Sequence, residues 1–161
     1  MIRGTHTPVT RRVIGASVAV ALALTLAGCG AIGSLLGGGD DPFSIKVGEC
    51  FNERDFNSEQ EEIESVQKVD CSESHELEAT KSIILEGETR PADSVLMAQA
   101  DDECFTAFEE YVGGSYDSEG VYEPTYYFPS VRSWAEGDRE ILCLLYGYDG
   151  PTTGSAKDTA R

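Results

Sequence analysis

Five cysteines limit what this chain can fold into more than any other feature of its sequence. They are Cys29, Cys50, Cys71, Cys104 and Cys143, and no two of them form a Cys-x-x-Cys pair, which leaves a thiol redox site or a zinc knuckle with little support. If Cys29 carries a lipid, four cysteines remain. An even number of cysteines in an exported chain predicts disulfides, here two. Three pairings are possible. Cys50–Cys71 and Cys104–Cys143 are favoured because each joins neighbours along the chain, and each would stabilise the fold by about 3–4 kcal/mol on the chain-entropy model.

The segment that precedes Cys29 has the pattern of an export signal. Residues 1–12 contain three arginines and no acidic residue, and residues 13–26 are mostly Val, Ala and Leu. An apolar helix of this length is too short for a bilayer core of about 30 Å, which requires about 20 residues. The sequence LAGC that ends at Cys29 resembles the bacterial lipobox, in which the cysteine sulfur receives a diacylglycerol before cleavage. We therefore expect a signal peptide over 1–28 and lipidation of Cys29; a retained membrane helix and an ordinary signal sequence are the alternatives.

Export and lipidation together predict where the protein resides. Two acyl chains anchor a protein stably to a membrane where one chain binds only marginally, so we expect the chain on the extracytoplasmic side of the cell membrane. The adjacent Arg11 and Arg12 also resemble a twin-arginine signal, which leaves the export route open. The glycine-rich residues 29–42 are expected to form a flexible tether to a domain over 43–161.

Charge excludes one class of partner. Removal of residues 1–28 takes away three of the twelve basic residues and none of the 29 acidic ones, which leaves a net charge of −20. A chain of this charge repels nucleic acid and anionic headgroups. No nucleic-acid partner is expected, and the oligomeric state stays open.

Hydrophobic periodicity predicts a small α+β domain. Residues 91–114 have apolar side chains at helical spacing, among them Cys104, and end in a glycine pair. Short strands are expected over 44–51, 66–71 and 77–85, and the acidic stretch 52–65 is expected to be a solvated loop. Lys81 interrupts the alternation of the last strand, which is therefore either an edge strand or one that changes face near Ile84. A hairpin is expected from 121–134 and 139–148, and its almost wholly apolar return strand would be central. The predicted fold is a small antiparallel sheet with one main helix packed on it and two disulfides, followed by a loose tail over 150–161.

Several motifs together resemble a known family. VGECF, VDCSESHELEAT, ECFTAFEEYVG, SWAEGDREILCLLY and TGSAKDTAR occur in that order between residues 44 and 161, and they look like the septum formation family of actinobacterial exported proteins. Ser74 stands where that family usually has a proline before the histidine. The resemblance implies a lipoprotein or membrane-tethered module with a role in envelope or septum biology, and it implies no catalytic activity.

The remaining candidate residues favour binding over catalysis. His75 is the single histidine after residue 28, and neither a Gly-x-Ser-x-Gly elbow nor a His-Glu-x-x-His motif is present. The acidic stretch from Asp55 begins like a calcium loop but lacks the required glycine and final glutamate. His75, Tyr126, Tyr127 and Trp134 are therefore the candidate partner-binding residues, although a turn role for His75 and core packing of the aromatic residues are open alternatives. No catalytic residue, metal ligand or cofactor is assigned.

These observations give one functional expectation and two alternatives. The expectation is a non-enzymatic lipoprotein of the cell envelope, held in the membrane through Cys29, that binds an envelope protein or a cell-wall component. The first alternative is an envelope enzyme that acts on wall glycan or peptide, and the second is a carrier of a small solute or metal. A concave cleft with two facing carboxylates would favour an enzyme, whereas an aromatic-lined patch would favour a binding module.

Overall fold

The computed structural model describes residues 39–57, 62–116 and 120–160. Within these residues one antiparallel sheet has the strand order β2-β1-β3-β5-β4. Its strands are β1 (Cys50–Asn57), β2 (Glu62–Val69), β3 (Leu77–Ile84), β4 (Tyr122–Tyr127) and β5 (Glu140–Gly147). The helices are α1 (Asp93–Val112) and α2 (Val131–Glu136), preceded by a 3-10 turn over Pro42–Ser44. The fold class, with its sheet, main helix and two disulfides, is therefore as predicted.

The predicted signal peptide, Cys29 and the tether up to residue 38 lie outside the described residues. In the part of the chain that is described, no helix combines the length and the apolarity needed to cross a bilayer.

Strand β5 is buried on both faces, which explains its nearly continuous apolar sequence. Ile141 and Cys143 pack with buried side chains of α1 on one face. Leu142 and Leu144 pack on the other face against a second cluster that includes Phe51 of β1. The prediction that this return strand is central is confirmed, since β5 pairs with β3 on one side and β4 on the other.

Helix α1 covers one face of the sheet with an apolar stripe. The buried residues of the stripe are Leu96, Ala100, Cys104, Ala107, Phe108 and Val112. Cys104 is bonded to Cys143 of β5 and Cys50 to Cys71, as predicted. Gly113 ends the helix with a φ of 78°, in the left-handed region that glycine adopts without strain. Met97 lies outside the buried stripe and is 45% exposed, and Ala92 occupies the N-cap position without a side-chain hydrogen bond.

The acidic stretch 52–65 contributes to a β-hairpin, so its prediction as a solvated loop was wrong. Strands β1 and β2 pair from Cys50 opposite Val69 to Asn57 opposite Glu62. Phe51 and Val66 point into the core, whereas many of the other side chains are polar and at least partly exposed. Of the two alternatives for β3, the edge position was wrong, because β3 lies between β1 and β5. Its register with β1 covers only two residue pairs.

The two ends of the domain are more ordered than predicted. Asp40 pairs with Val66 of β2 through N···O distances of 2.7 and 3.0 Å, so residues 40–42 belong to the fold and not to the tether. The prediction of a loose tail over 150–161 was also wrong, because residues 150–160 pack against the domain. Thr152 forms a two-bond bridge with His75, and Ala156 is completely buried. The physical reason is long-range hydrogen bonding, since these residues find their partners on β3 and at the end of α1.

Candidate functional site

A cavity of about 760 Å³ opens between the two edges of the curled sheet. Strand β2 forms one end of the sheet order and β4 the other, and residues of both line the cavity. We call it the aromatic groove. Its apolar lining is formed by Phe43, Ile63, Tyr126, Tyr127, Phe128, Val131 and Leu142, and its charged lining by Glu62, Arg90, Asp93, Arg132, Asp138 and Glu140. Its volume lies within the range of about 300–1,000 Å³ that is usual for ligand sites.

Tyr127, near the end of β4, gives the groove its aromatic wall, whereas the ring of the neighbouring Tyr126, which also lines the groove, packs on the opposite face of the sheet beside α1. The Tyr127 hydroxyl donates a hydrogen bond to Glu53 of β1, and its ring lies 6.4 Å from that of Phe51, centroid to centroid. The Tyr126 hydroxyl donates to Asp101 of α1 at 2.9 Å. Burial, followed by the hydrogen bond to the neighbouring carboxylate, raises the pKa of both hydroxyls above the ordinary tyrosine value. Both groups therefore stay protonated at physiological pH, and both already have an acceptor.

The two lips of the groove expose apolar side chains. Phe43, in the turn that follows the chain's entry into the fold, is 55% exposed, and Val131 at the first position of α2 is 76% exposed. Both residues line the groove. Exposed apolar side chains at a groove provide contact area for an apolar group of a ligand.

An ion pair beside the groove connects β2, one edge strand of the sheet, to α2, the helix that follows β4. The Arg132 guanidinium of α2 donates to Glu62 of β2, with Nε 2.7 Å from Oε2. A hydrogen bond from the Ser130 hydroxyl, together with the bond from Arg132, holds the pKa of the Glu62 carboxyl below its usual value. The contact spans 70 residues of sequence, so it couples the β1–β2 hairpin to the segment after β4.

Both arginines of the groove are neutralised by the protein itself. Arg132 is bound to Glu62 as described. Arg90 pairs with Asp93 at 2.6 Å and donates further hydrogen bonds to the carbonyl oxygens of Pro129 and Pro91. Neither cation is left without an internal acceptor.

Two other carboxylates of the groove have neutral donors. Asp138 accepts a hydrogen bond from the Ser133 hydroxyl at 2.8 Å and from the Glu140 backbone N–H at 3.0 Å. Glu140 accepts a hydrogen bond from the Ser82 hydroxyl. Among the described residues, no lysine or arginine lies within ion-pair distance of either carboxylate. The groove therefore has an excess of negative charge.

Trp134 does not line the groove, unlike the predicted residues Tyr126 and Tyr127. Its side chain is 6% exposed, and its indole N–H donates to the Glu88 carbonyl oxygen at 3.1 Å. The Arg139 guanidinium lies 3.8 Å from the ring centroid, a cation–π contact that packs the end of α2 onto the sheet. Trp134 belongs to the core cluster between α1 and β5, so the structure favours the core packing that the sequence left open for it.

His75 lies outside the groove as well. It is 1% exposed, with Nδ1 2.9 Å from the Glu73 carbonyl oxygen and Nε2 3.4 Å from the Thr152 hydroxyl. A side chain enclosed in this way cannot touch a partner while the fold is intact. The structure therefore favours the turn role for His75 that the sequence left open.

Sequence reasoning missed most of the polar groove residues. Glu62 was assigned to a loop, and the pairing that brings it to Arg132 depends on the curl of the whole sheet. Asp138 and Glu140 belong to a turn and strand that were recognised, but nothing local distinguishes them among 29 acidic residues. The one clue in the sequence to Asp138 and Glu140 was their position, because both residues follow the aromatic segment of β4 and Phe128.

A second group of possible ligand atoms lies at the base of the hairpin. In the part of the chain covered by the structure, Cys50, Cys71 and Glu78 form the one group with metal-binding proximity. The two sulfurs are bonded to each other, and a disulfide sulfur is not the thiolate that a metal requires. This group is therefore structural in the oxidised protein.

Comparison with known proteins gives one match. A protein-family model described as septum formation matches residues 47–160, which is more than half of the chain. Searches of curated protein sequences and of solved structures find no significant match.

Proposed function

The chain belongs to the septum formation family, and from this membership and the aromatic groove we propose that it is a non-enzymatic binding module of the cell envelope. Membership of the family indicates an envelope-related role. The observation that carries the proposal is a ligand-sized groove with an aromatic wall and exposed apolar lips. Large aromatic side chains beside a recess are typical of binding surfaces.

The groove's carboxylates support binding more than hydrolysis. A general acid needs a raised pKa, whereas the pKa of Glu62 is lowered by Ser130 and Arg132. The Glu140 backbone N–H donates to the Asp138 carboxylate, so these two residues lie side by side and do not face each other across a substrate. Purified protein is expected to release no soluble fragments from isolated cell walls, and reproducible release by the wild-type protein would favour the enzymatic alternative.

The proposal includes a lipid anchor on Cys29. The chain enters the fold next to β2, where Asp40 pairs with Val66, and Phe43 then reaches the groove. Gly39 follows Cys29 by ten positions, and even a fully extended segment of this length spans at most about 35 Å. An anchor at Cys29 would thus keep the groove near the outer surface of the membrane, where its partner would be an envelope protein or a wall component.

The anchor is tested by Cys29→Ala. We expect the variant to disappear from the membrane fraction, while Cys50→Ser, which removes a structural cysteine, remains there if it folds. Membrane association of Cys29→Ala at the wild-type level would refute lipid anchoring.

The groove is tested by a photoreactive amino acid placed at Val131 in living cells. We expect a discrete crosslinked species from Val131 and none from the same probe at Glu110, an exposed position on α1. The species should be lost when Tyr127→Ala removes the aromatic wall. Equal crosslinking from both positions would show that the groove has no special role.

A further inference from the structure

We propose that the aromatic groove binds an extended, basic peptide segment of a partner protein. A lysine or arginine of the segment would lie against Asp138 and Glu140, and apolar neighbours would pack between Phe43 and Val131. This inference rests on the proposed function and names the ligand of the same site.

The charge of the groove indicates a cationic ligand. Both arginines are already bound to carboxylates of the protein, so neither is free to receive an anion. The carboxylates of Asp138 and Glu140 have only neutral donors among the described residues, because Arg139 donates to the Asp138 carbonyl oxygen and not to its carboxylate. A cation that reaches these carboxylates gains charge-assisted hydrogen bonds. The net charge of −20 expected after removal of residues 1–28 would also attract basic segments over longer distances.

The ends of the sheet indicate an extended ligand. The groove lies between β2 and β4, the two terminal strands of the sheet order. In the described structure β4 pairs only with β5, which leaves its other side available for strand addition. Peptides that add to a sheet edge gain main-chain hydrogen bonds, while alternate side chains enter pockets. Pro124 cannot donate such a bond, so Thr125–Tyr127 is the part of β4 that suits this role.

The aromatic wall suits peptide better than glycan. Sugar recognition combines stacking on an open ring face with hydrogen bonds from polar groups, but the Tyr126 and Tyr127 hydroxyls are already occupied. Tyr126 is also tilted against Phe128, with 6.1 Å between ring centroids, and both tyrosines are partly buried. Partly buried rings beside carboxylates instead provide apolar contacts and cation–π contacts for lysine or arginine.

The test uses a synthetic heptapeptide array and the mature protein with both disulfides formed. We expect binding by heptapeptides that carry lysine or arginine between apolar residues, measured afterwards in solution by fluorescence anisotropy. Replacement of the basic residue by glutamine in the peptide should weaken binding about tenfold, the effect of one charge-assisted hydrogen bond. Binding should also weaken as the salt concentration rises from 0.1 to 1 M, because the screening length falls from about 10 to 3 Å.

Two pairs of protein variants locate the contact. Glu140→Gln should weaken binding about tenfold, whereas Glu110→Gln, which removes the same charge from α1, should leave it within twofold. At the exposed position 131, Val131→Arg should weaken the binding of basic peptides several-fold, and Val131→Glu should strengthen it. Both substitutions remove the same apolar side chain, so the difference reports charge. Thermal unfolding of each variant checks that the fold is intact.

Three outcomes would overturn the inference. These are equal binding of basic, neutral and acidic heptapeptides, the same response to Val131→Arg and Val131→Glu, and binding of chitotetraose in place of any peptide. If the crosslink from Val131 is observed in cells but basic peptides do not bind, the proposed function stands and the peptide inference fails. If no crosslink forms at Val131, the proposed function itself fails.

Discussion

The buried carboxylate of Glu78 is expected to hold the end of the chain against the rest of the domain. Glu78 lies on β3 and is completely buried. It accepts hydrogen bonds from the Tyr111 hydroxyl at 2.7 Å, from the Ser155 hydroxyl, and from the Ala156 backbone N–H at 2.8 Å. One side chain therefore joins the sheet, the end of α1 and the terminal segment.

The stability lost on replacing Glu78 can be estimated from these contacts. A hydrogen bond to a charged group contributes about 1.5–3 kcal/mol, and a buried donor left without an acceptor costs about 1–3 kcal/mol. Ser155 is exposed and Tyr111 is half-buried, so water can partly replace the carboxylate for these two hydroxyls. The amide of the buried Ala156 has no such replacement. We expect Glu78→Ala to lower the free energy of unfolding by about 3–5 kcal/mol, from the hydrogen bonds lost and the amide left without an acceptor.

Thermal and denaturant unfolding of the oxidised protein measure this effect. For a domain of about 120 residues the loss corresponds to a decrease in Tm of roughly 10–20 °C. Glu78→Gln keeps one carbonyl acceptor and should lie between wild type and Glu78→Ala, while Glu110→Ala on the exposed side of α1 should change stability by less than about 0.5 kcal/mol. Hydrogen exchange should show faster exchange of the amides near Ala156. A stability loss below about 1 kcal/mol for Glu78→Ala would refute the reasoning.

Three further predictions concern the terminal segment, the Cys104–Cys143 disulfide and the Glu62 carboxylate. Truncation after Gly150 should destabilise the domain at least as much as Glu78→Ala, as measured by denaturant unfolding, whereas a loose tail would be removed without effect. Replacement of Cys104 and Cys143 by serine should cost about 4 kcal/mol, because their bond closes a loop of 39 residues, and a loss under 1 kcal/mol would contradict this. The lowered pKa of Glu62 means that its contribution to stability is complete above the unfolded pKa of about 4.3 and is lost as pH falls through the lower folded value. Glu62→Gln should therefore flatten the acid limb of the stability curve, and an unchanged limb would show that the ion pair with Arg132 contributes nothing there.

The parts of the fold that were predictable are those encoded in local patterns. The apolar stripe through Cys104 has the period of a helix, and the uninterrupted run around Cys143 is typical of a strand buried on both faces. The disulfide between them follows once both elements face the same core. The hairpin of β1 and β2 was not predicted because only a few of its side chains, such as those of Phe51 and Val66, are buried. Many of the other side chains are polar.

The order of the terminal segment could not be predicted from its own residues. Residues 150–160 are small and polar, and they carry no periodic signal. Their order comes from acceptors and donors far away in the chain, above all Glu78, which lies 78 residues before Ala156. A glutamate in a strand candidate gives no sign in the sequence that its carboxylate will be buried and shared.

The candidate site was predictable only where it coincided with the aromatic segment. Tyr126 and Tyr127 were identified because aromatic side chains beside prolines are a recognisable pattern. Trp134 belongs to the same pattern, but its indole N–H has a partner within the fold, which the sequence does not reveal. The charged half of the groove depends on the curl that brings Glu62 to Arg132, and no local pattern encodes such a closure.

The family match and the groove provide different kinds of information. The motifs that carry the resemblance contain the four disulfide cysteines, His75, Glu78 and Trp134, and the structure places these residues in the framework. Phe43, which forms one lip of the groove, precedes the matched range of 47–160. Membership of the family therefore indicates the fold and an envelope-related role, and it does not name the ligand. The ligand must be inferred from the groove itself, where Val131 offers the most direct test, because its exposed side chain can be exchanged for either charge without disturbing the framework.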